Sequence, residues 1–368
     1  MLSSFFLNSC TTNEPILVGF SAELTGRQAE LGVQERNGVQ MAVEKINNSG
    51  GINGRPIQLI VLDDLGTSEG ARTADRELIG KGVVAIIGHA TSGQTIAGLS
   101  VTNPAHVVMI SPTTSTAELS GKDDYFLRVI QALSERAGGL AQHVYQQRGV
   151  QRLAIIHDTH NAAYVQSFKK AFVEKYRSLG GQVTDEAGFS SEERTNFDPI
   201  LTQLRTSKAD GLLIIASDND TAIIAQRTRL IGWNAPLYMS AWAQTETLIK
   251  NGGQAVEGMD LEQTYPMNSQ APAFLDFKAR YQQRFGRAPS FSASFGYETV
   301  LVLAGALQKS GGKAAGLRQA LLETSDFQGL VDTLSFDTYG DVVRPFFLGT
   351  IRDGRYVDIE RFIPETPR

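Results

Sequence analysis

Two short stretches carry the side chains most suited to chemistry, and each follows an apolar run. Ile86-Ile87-Gly88-His89-Ala90-Thr91-Ser92-Gly93-Gln94-Thr95 passes from aliphatic residues into glycine and hydroxyls, and Ile110-Ser111-Pro112-Thr113-Thr114-Ser115 does the same. Small residues just after a strand leave backbone N–H groups open to an anion, most effectively where a helix begins. The same composition also turns a corner, with Ser92 as a plain helix N-cap. Neither a lysine nor an arginine lies in the first stretch, and no P-loop spacing occurs. A singly charged group such as a carboxylate therefore suits it better than a phosphate. In open α/β sheets ligands sit outside the carboxyl ends of the strands, so two hydroxyl-rich strand ends converge on one crevice.

Enzyme signatures are absent. There is no G-x-S-x-G elbow, and Ser21-Ala22-Glu23-Leu24-Thr25-Gly26 after the first strand lacks dinucleotide-binding glycine spacing. Of the five histidines, His89, His106, His143, His157 and His160, only the last two are close. They read as solvated loop residues, without the ligand pattern of a metal site. The expectation is a chain with no catalytic residues, no metal and no cofactor.

The elements that must position these stretches follow from periodicity. Strands are predicted at 16–20, 57–62, 83–87, 106–111, 153–157, 211–215, 236–239 and 346–351, the last closing the chain. Amphipathic helices lie between them, with strong ones at 274–285 and 295–309. Continuous apolar runs alternating with helices predict the doubly wound α/β class, with parallel sheets covered on both faces. A length of 368 residues suits about two domains, and no low-complexity linker separates them. The 42% hydrophobic and 20% charged content is ordinary for a globular chain. The net charge of −5, without basic runs, points away from nucleic acid.

The N-terminus reads separately. Met1 to Ser9 is largely apolar and leads to Cys10, the only cysteine, and then to a polar tether. Leu7-Asn8-Ser9-Cys10 resembles a lipobox, whose cysteine is acylated, although the usual basic segment before it is missing. The alternative is an ordinary thiol at Cys10.

Taken together, Asn37-Gly38-Val39-Gln40-Met41-Ala42-Val43, Ile46-Asn47-Asn48-Ser49-Gly50-Gly51-Ile52-Asn53-Gly54-Arg55 and Asp63-Asp64 resemble the start of a known family. It is the branched-chain amino-acid type of periplasmic binding protein, the type I solute-binding subunits of ABC importers. Ile86-Ile87-Gly88 with Ser92, Ile110-Ser111-Pro112, Ala154-Ile155-Ile156-His157-Asp158 and Glu257-Gly258-Met259 continue the resemblance in order. It implies two doubly wound lobes joined by three crossovers, near 129–132, 261–266 and 337–343. Lobe one is expected from 14–130 plus 264–337 and lobe two from 131–263 plus 338–368, with 1–13 as a signal remnant and tether.

The resemblance further implies an amino acid, branched-chain or otherwise apolar, held between lobes that close by a hinge. Its carboxylate would meet Ser92, Thr113 and Ser115. Leu31 stands where the family often has a pocket tryptophan, and Tyr164 in Asn161-Ala162-Ala163-Tyr164 matches a lobe-two helix start. Trp242 matches the position of a glutamate that pairs the ammonium in leucine-type members, which leaves Asp218 or Asp220 to supply the charge. Without the resemblance, Asp218-Asn219-Asp220 also reads as a self-capped turn and Trp242 as a core wall. Two alternatives stay open: an aromatic or aliphatic carboxylate or amide as ligand, and a ligand-sensing receptor domain of the same fold. The expected setting is extracytoplasmic, with a lipid anchor on Cys10, ABC permease subunits as partners and a monomeric state.

Overall fold

The computed structural model describes residues 14–26 and 29–363, and Cys10 lies outside them. Five strands, β1 (Ile16–Ala22), β2 (Ile57–Asp63), β3 (Ala85–Gly88), β4 (Val108–Ser111) and β5 (Phe126–Arg128), form a parallel sheet in the order β2-β1-β3-β4-β5. Helices α1 (Ala29–Asn48), α2 (Ser68–Gly80) and α3 (Ser92–Thr102) make the crossovers. The central strand β3 reads AIIG and is buried throughout, because helices cover both faces of the sheet.

The chain then builds a second sheet. After α4 (Leu133–Gln142) come β6 (Arg152–Asp158), α5 (Ala162–Ser178), β7 (Gln182–Phe189), α6 (Phe197–Thr206) and β8 (Gly211–Ile215). They are followed by α7 (Asp218–Leu230), β9 (Leu237–Met239), α8 (Glu246–Gly252) and β10 (Asp260–Gln263). Helices α9 (Pro272–Phe285), α10 (Phe291–Lys309) and α11 (Leu317–Leu322) return to the first sheet, where Phe274, Phe295 and Leu303 share a core with Phe20, Val39 and Ile110. Gly38 lets α1 and α10 meet, since a Cβ there would stand 2.0 Å from the Ala293 carbonyl oxygen. That close approach sets Leu31 and Phe291 beside each other on the cleft.

A small antiparallel sheet of β11 (Phe327–Gln328), β12 (Thr333–Phe336) and β13 (Val342–Val343) precedes β14 (Phe346–Arg352) and β15 (Arg355–Phe362). The last two complete a seven-stranded sheet, β15-β14-β10-β9-β8-β6-β7. Strands β14 and β15 run antiparallel, so the strand expected to close the chain at 346–351 is instead the first arm of a hairpin. Its turn is Asp353-Gly354, both at positive φ (51° and 66°). Asp-Gly is the sequence signal for such a turn. One further boundary differs from expectation: His106 adopts a φ of 55°, so β4 starts only at Val108 rather than at 106.

We refer to the five-stranded sheet with its helices as lobe one and the seven-stranded sheet with its helices as lobe two. The chain passes between them three times, and one buried carboxylate ties the passages together. Glu298 on α10 accepts from Arg344 Nη1 at 2.7 Å and from Tyr265 OH at 3.2 Å, and Arg344 Nη1 also reaches the Val129 carbonyl oxygen at 3.3 Å. Val129, Tyr265 and Arg344 belong to the first, second and third passages respectively. Gln131 adds a bond from the first passage to the Arg344 carbonyl oxygen at 3.2 Å.

Candidate functional site

Both hydroxyl-rich stretches end at the same place. Leu31, Ala90, Ser92, Thr113 and Ser115 from lobe one face Arg136, Asn161, Tyr164 and Trp242 from lobe two across a shared cavity. Ile130 and Thr264, on the first and second passages, close its back. A second chamber adjoins it, lined by Glu30, Ser217, Asp218, Thr245, Ser290 and Ser292. Leu31 and Trp242 line both chambers and so form their shared wall.

Ser92 is not the helix cap. Thr91 is the N-cap of α3, without a side-chain cap bond, and Ser92 is the first helical residue. Its buried Oγ has no hydrogen-bond partner, and neither has Ser115 Oγ, Thr264 Oγ1, Asn161 Oδ1 or Arg136 Nε. All five residues line the inner cavity. An unpaired buried polar group costs about 1–3 kcal/mol, so such a concentration marks a place where a polar group is to be received. The first turn of α3 contributes the free N–H groups and positive dipole end that favour an anion there.

Thr113 behaves differently. Its Oγ1 lies 2.7 Å from the Ala90 carbonyl oxygen and 2.9 Å from Glu35 Oε2, yet it carries a single proton. Burial pushes the Glu35 carboxyl up to about 8, against the opposing Thr113 bond. At neutral pH Glu35 is therefore protonated and donates to Thr113, which donates to Ala90. The Thr113 hydroxyl is spent on holding the loop.

Beneath that loop lies a network that the sequence did not reveal. His89 is fully buried, with Nδ1 2.7 Å from Asp64 Oδ2 and Nε2 3.2 Å from Asp75 Oδ2. Burial alone would depress the imidazole, but Asp75 and Asp64 outweigh it and hold its pKa at about 10, so both nitrogens donate. The His89 carbonyl oxygen accepts from Ser111 Oγ at 2.9 Å and Thr114 Oγ1 at 3.1 Å, which joins the two hydroxyl stretches. Gly98 is required here, because a Cβ would sit 2.3 Å from Asp75 Oδ2 and 2.7 Å from His89 Nε2.

This arrangement has a pH signature. From about pH 4.5 to 8 the folded state keeps a Glu35 proton that the unfolded chain releases, so stability falls as pH rises through that window. The slope is about 1.4 kcal/mol per unit for one fully linked proton. Urea unfolding at pH 5 and pH 6.5 should show a smaller loss of stability in Glu35→Gln than in the wild type. Equal losses would mean that Glu35 is ionised in the folded protein.

Lobe two supplies aromatic and charged groups. Asn161 caps α5 in sequence position but makes no side-chain cap bond, which leaves its Oδ1 for the cavity. Tyr164, on the first turn of α5, meets the Trp242 ring edge-on at 5.6 Å. Burial, with Glu262 nearby, raises the Tyr164 hydroxyl well above its usual range, so it stays protonated. Asp218 is the first residue of α7. Its Oδ2 accepts from Thr245 Oγ1 at 2.7 Å, and burial raises its carboxyl despite that bond. Asp220 turns back to accept from Ser217 Oγ at 3.1 Å and lines neither chamber.

One expectation about the histidines is corrected. His157 is not solvated: it is 6% exposed and pairs with Glu186 at 2.9 Å. His160, partly exposed, pairs with Glu192 at 3.3 Å. Among the described residues no three or more His, Cys, Asp or Glu side chains are placed to hold a metal ion, and no helix is long and apolar enough to cross a membrane.

Two α/β lobes crossed three times, with unpaired polar groups turned into the space between them, describe a device for enclosing a solute. The sequence model of periplasmic binding proteins matches residues 15–355. The chain belongs to the periplasmic binding protein family. This periplasmic binding protein is 24% identical over 353 residues to Leu/Ile/Val-binding protein homolog 3 of Brucella melitensis, with 94% of each chain covered. Its fold is similar to the branched-chain amino acid transporter substrate-binding protein of Streptococcus pneumoniae in complex with isoleucine: TM-score 0.87, 24% identity, 95% of this chain and 100% of that one. It is also similar to a solute-binding protein of an ABC transporter from Rhodopseudomonas palustris BisB5 in complex with 3,4-dihydroxybenzoic acid. There the TM-score is 0.85 and the identity 21%, with 95% and 97% covered. The family consists of solute-binding proteins rather than enzymes, and its periplasmic character implies work outside the cytoplasm.

Proposed function

We propose that this chain is the extracytoplasmic solute-binding subunit of an ABC importer, enclosing an apolar amino acid between lobes that close by a hinge. The observation that carries it is the row of unpartnered polar atoms of Ser92, Ser115 and Thr264 facing the apolar walls of Leu31, Ile130 and Trp242. Ser92 and Ser115, with the first turn of α3, would hold the carboxylate, since several directed hydrogen bonds replace its water without a lysine. The similarity to a Leu/Ile/Val-binding protein homologue and to an isoleucine-bound substrate-binding protein supports the amino-acid assignment. Acylation of Cys10 would anchor the chain at the membrane, and a permease would receive the closed, monomeric form.

The ammonium falls to Asp218. A solute lying along Leu31 and Trp242 meets both chambers, and Asp218 lines the outer one while Asp220 is committed to Ser217. One observation favours a second reading, an aromatic or aliphatic carboxylate without an ammonium. Among the described residues no Asp or Glu side chain lines the inner cavity, and Trp242 offers a flat apolar wall. Asp218→Asn separates the two. Calorimetry should show apolar amino acids weakened about tenfold or more, with aromatic acids untouched. Equal effects on both, or none on either, would remove Asp218 from solute recognition.

A further inference from the structure

Arg136 is the one cationic side chain lining the inner cavity among the described residues. It stands on the first turn of α4, just past the first passage, and is 1% exposed. Its Nη1 meets Glu262 Oε2 at 2.5 Å, and its Nη2 donates to the Gln131 carbonyl oxygen at 3.2 Å. Its Nε has no partner. Glu262 is held in turn by the Ala241 backbone N–H at 2.9 Å, next to Trp242. The guanidinium is thus fixed through both outer nitrogens, while Nε makes no hydrogen bond in a residue that lines the cavity.

Resting on the functional reading above, we propose that Arg136 Nε makes the lobe-two contact to the solute carboxylate, completing the site that Ser92 and Ser115 begin on lobe one. A buried guanidinium N–H left unpaired is costly, and a carboxylate is the partner whose charge and lone pairs suit it best. Among the described residues lobe one supplies only neutral donors to the inner cavity, so the charge-bearing contact forms when lobe two closes. The contact makes closure select a carboxylate over the matching amide. It also passes the presence of solute to the passages, because Gln131 takes Arg136 Nη2 on its carbonyl oxygen and sends its own Nε2 to the Arg344 carbonyl oxygen on the third passage.

The test is Arg136→Lys, which keeps a cation for Glu262 and removes the Nε–H. Binding of leucine against leucinamide, and of benzoate against benzamide, is measured by calorimetry on wild type and variant. For the pair that the wild type binds, the carboxylate-to-amide affinity ratio should fall about tenfold or more in the variant, beyond any loss common to both. An unchanged ratio overturns the proposal while leaving the functional reading standing. A wild type that binds neither carboxylate overturns the functional reading, and the proposal with it. If the variant fails to fold, wild-type protein labelled with 15N-arginine decides. A buried Nε–H resonance should move on adding the carboxylate and not the amide, and a spectrum unmoved by both overturns the contact.

Discussion

A chain carrying both Ser92→Ala and Ser115→Ala is expected to lose at least about a hundredfold in solute affinity while keeping its folding stability. Each hydroxyl is buried, lines the inner cavity and makes no hydrogen bond within the protein. A hydrogen bond to a charged group contributes about 1.5–3 kcal/mol, and each 1.4 kcal/mol is tenfold in affinity. Stability should hold because removing an unpaired hydroxyl takes away no protein contact, and it relieves a desolvated group. Thr113→Val, by contrast, should cost stability as well as affinity, since that hydroxyl links Glu35 to the Ala90 carbonyl oxygen. Calorimetry with urea unfolding distinguishes the two patterns. Full affinity in the double serine variant would return both residues to simple packing.

The largest effect on stability is expected at the passages. Arg344→Met should destabilise the protein by about 3–5 kcal/mol, the usual consequence of leaving a buried charge without its partner. Glu298 and Arg344 are each almost wholly buried, 2.7 Å apart, and the Arg344 guanidinium stacks over Phe295 at 5.0 Å. Adding Glu298→Met to the same chain should recover much of the loss, since apolar side chains of similar volume replace a buried pair at little cost. The comparison is made by denaturant midpoints of the two variants. A single variant as stable as wild type would mean that Glu298 finds another partner or a proton.

The fold was legible where strands are buried on both faces. Leu153 to Ile156 and Gly211 to Ile215 are continuous apolar runs that are buried throughout, and each became a strand within a residue of its expected bounds. The hairpin at Arg352 to Arg355 was missed because its outer strand, RYVDIERF, is mostly exposed and carries charges at irregular intervals. The cavity residues split in the same way. Ser92 and Ser115 follow strands and stand out by composition, whereas Arg136 sits in an unremarkable helical turn, Leu133-Ser134-Glu135-Arg136. Only the pairing of its outer nitrogens with Glu262 and the passage carbonyl sets the unpartnered Nε apart. Thr264 is similarly silent in sequence, because its importance comes from the second passage lying behind the cavity. The imidazolium of His89 depends on Asp64 and Asp75, 25 and 14 residues away, which no local pattern links.

The central claim is that one small carboxylate is enclosed between the lobes, and titration calorimetry on the wild-type chain tests it most directly. Leucine, isoleucine, valine, benzoate and 3,4-dihydroxybenzoate are titrated in turn against the purified protein. The account predicts that at least one binds with a stoichiometry of one per chain and a negative heat-capacity change from burial of apolar surface. No binding by any of them, or binding only at several weak sites per chain, would contradict it.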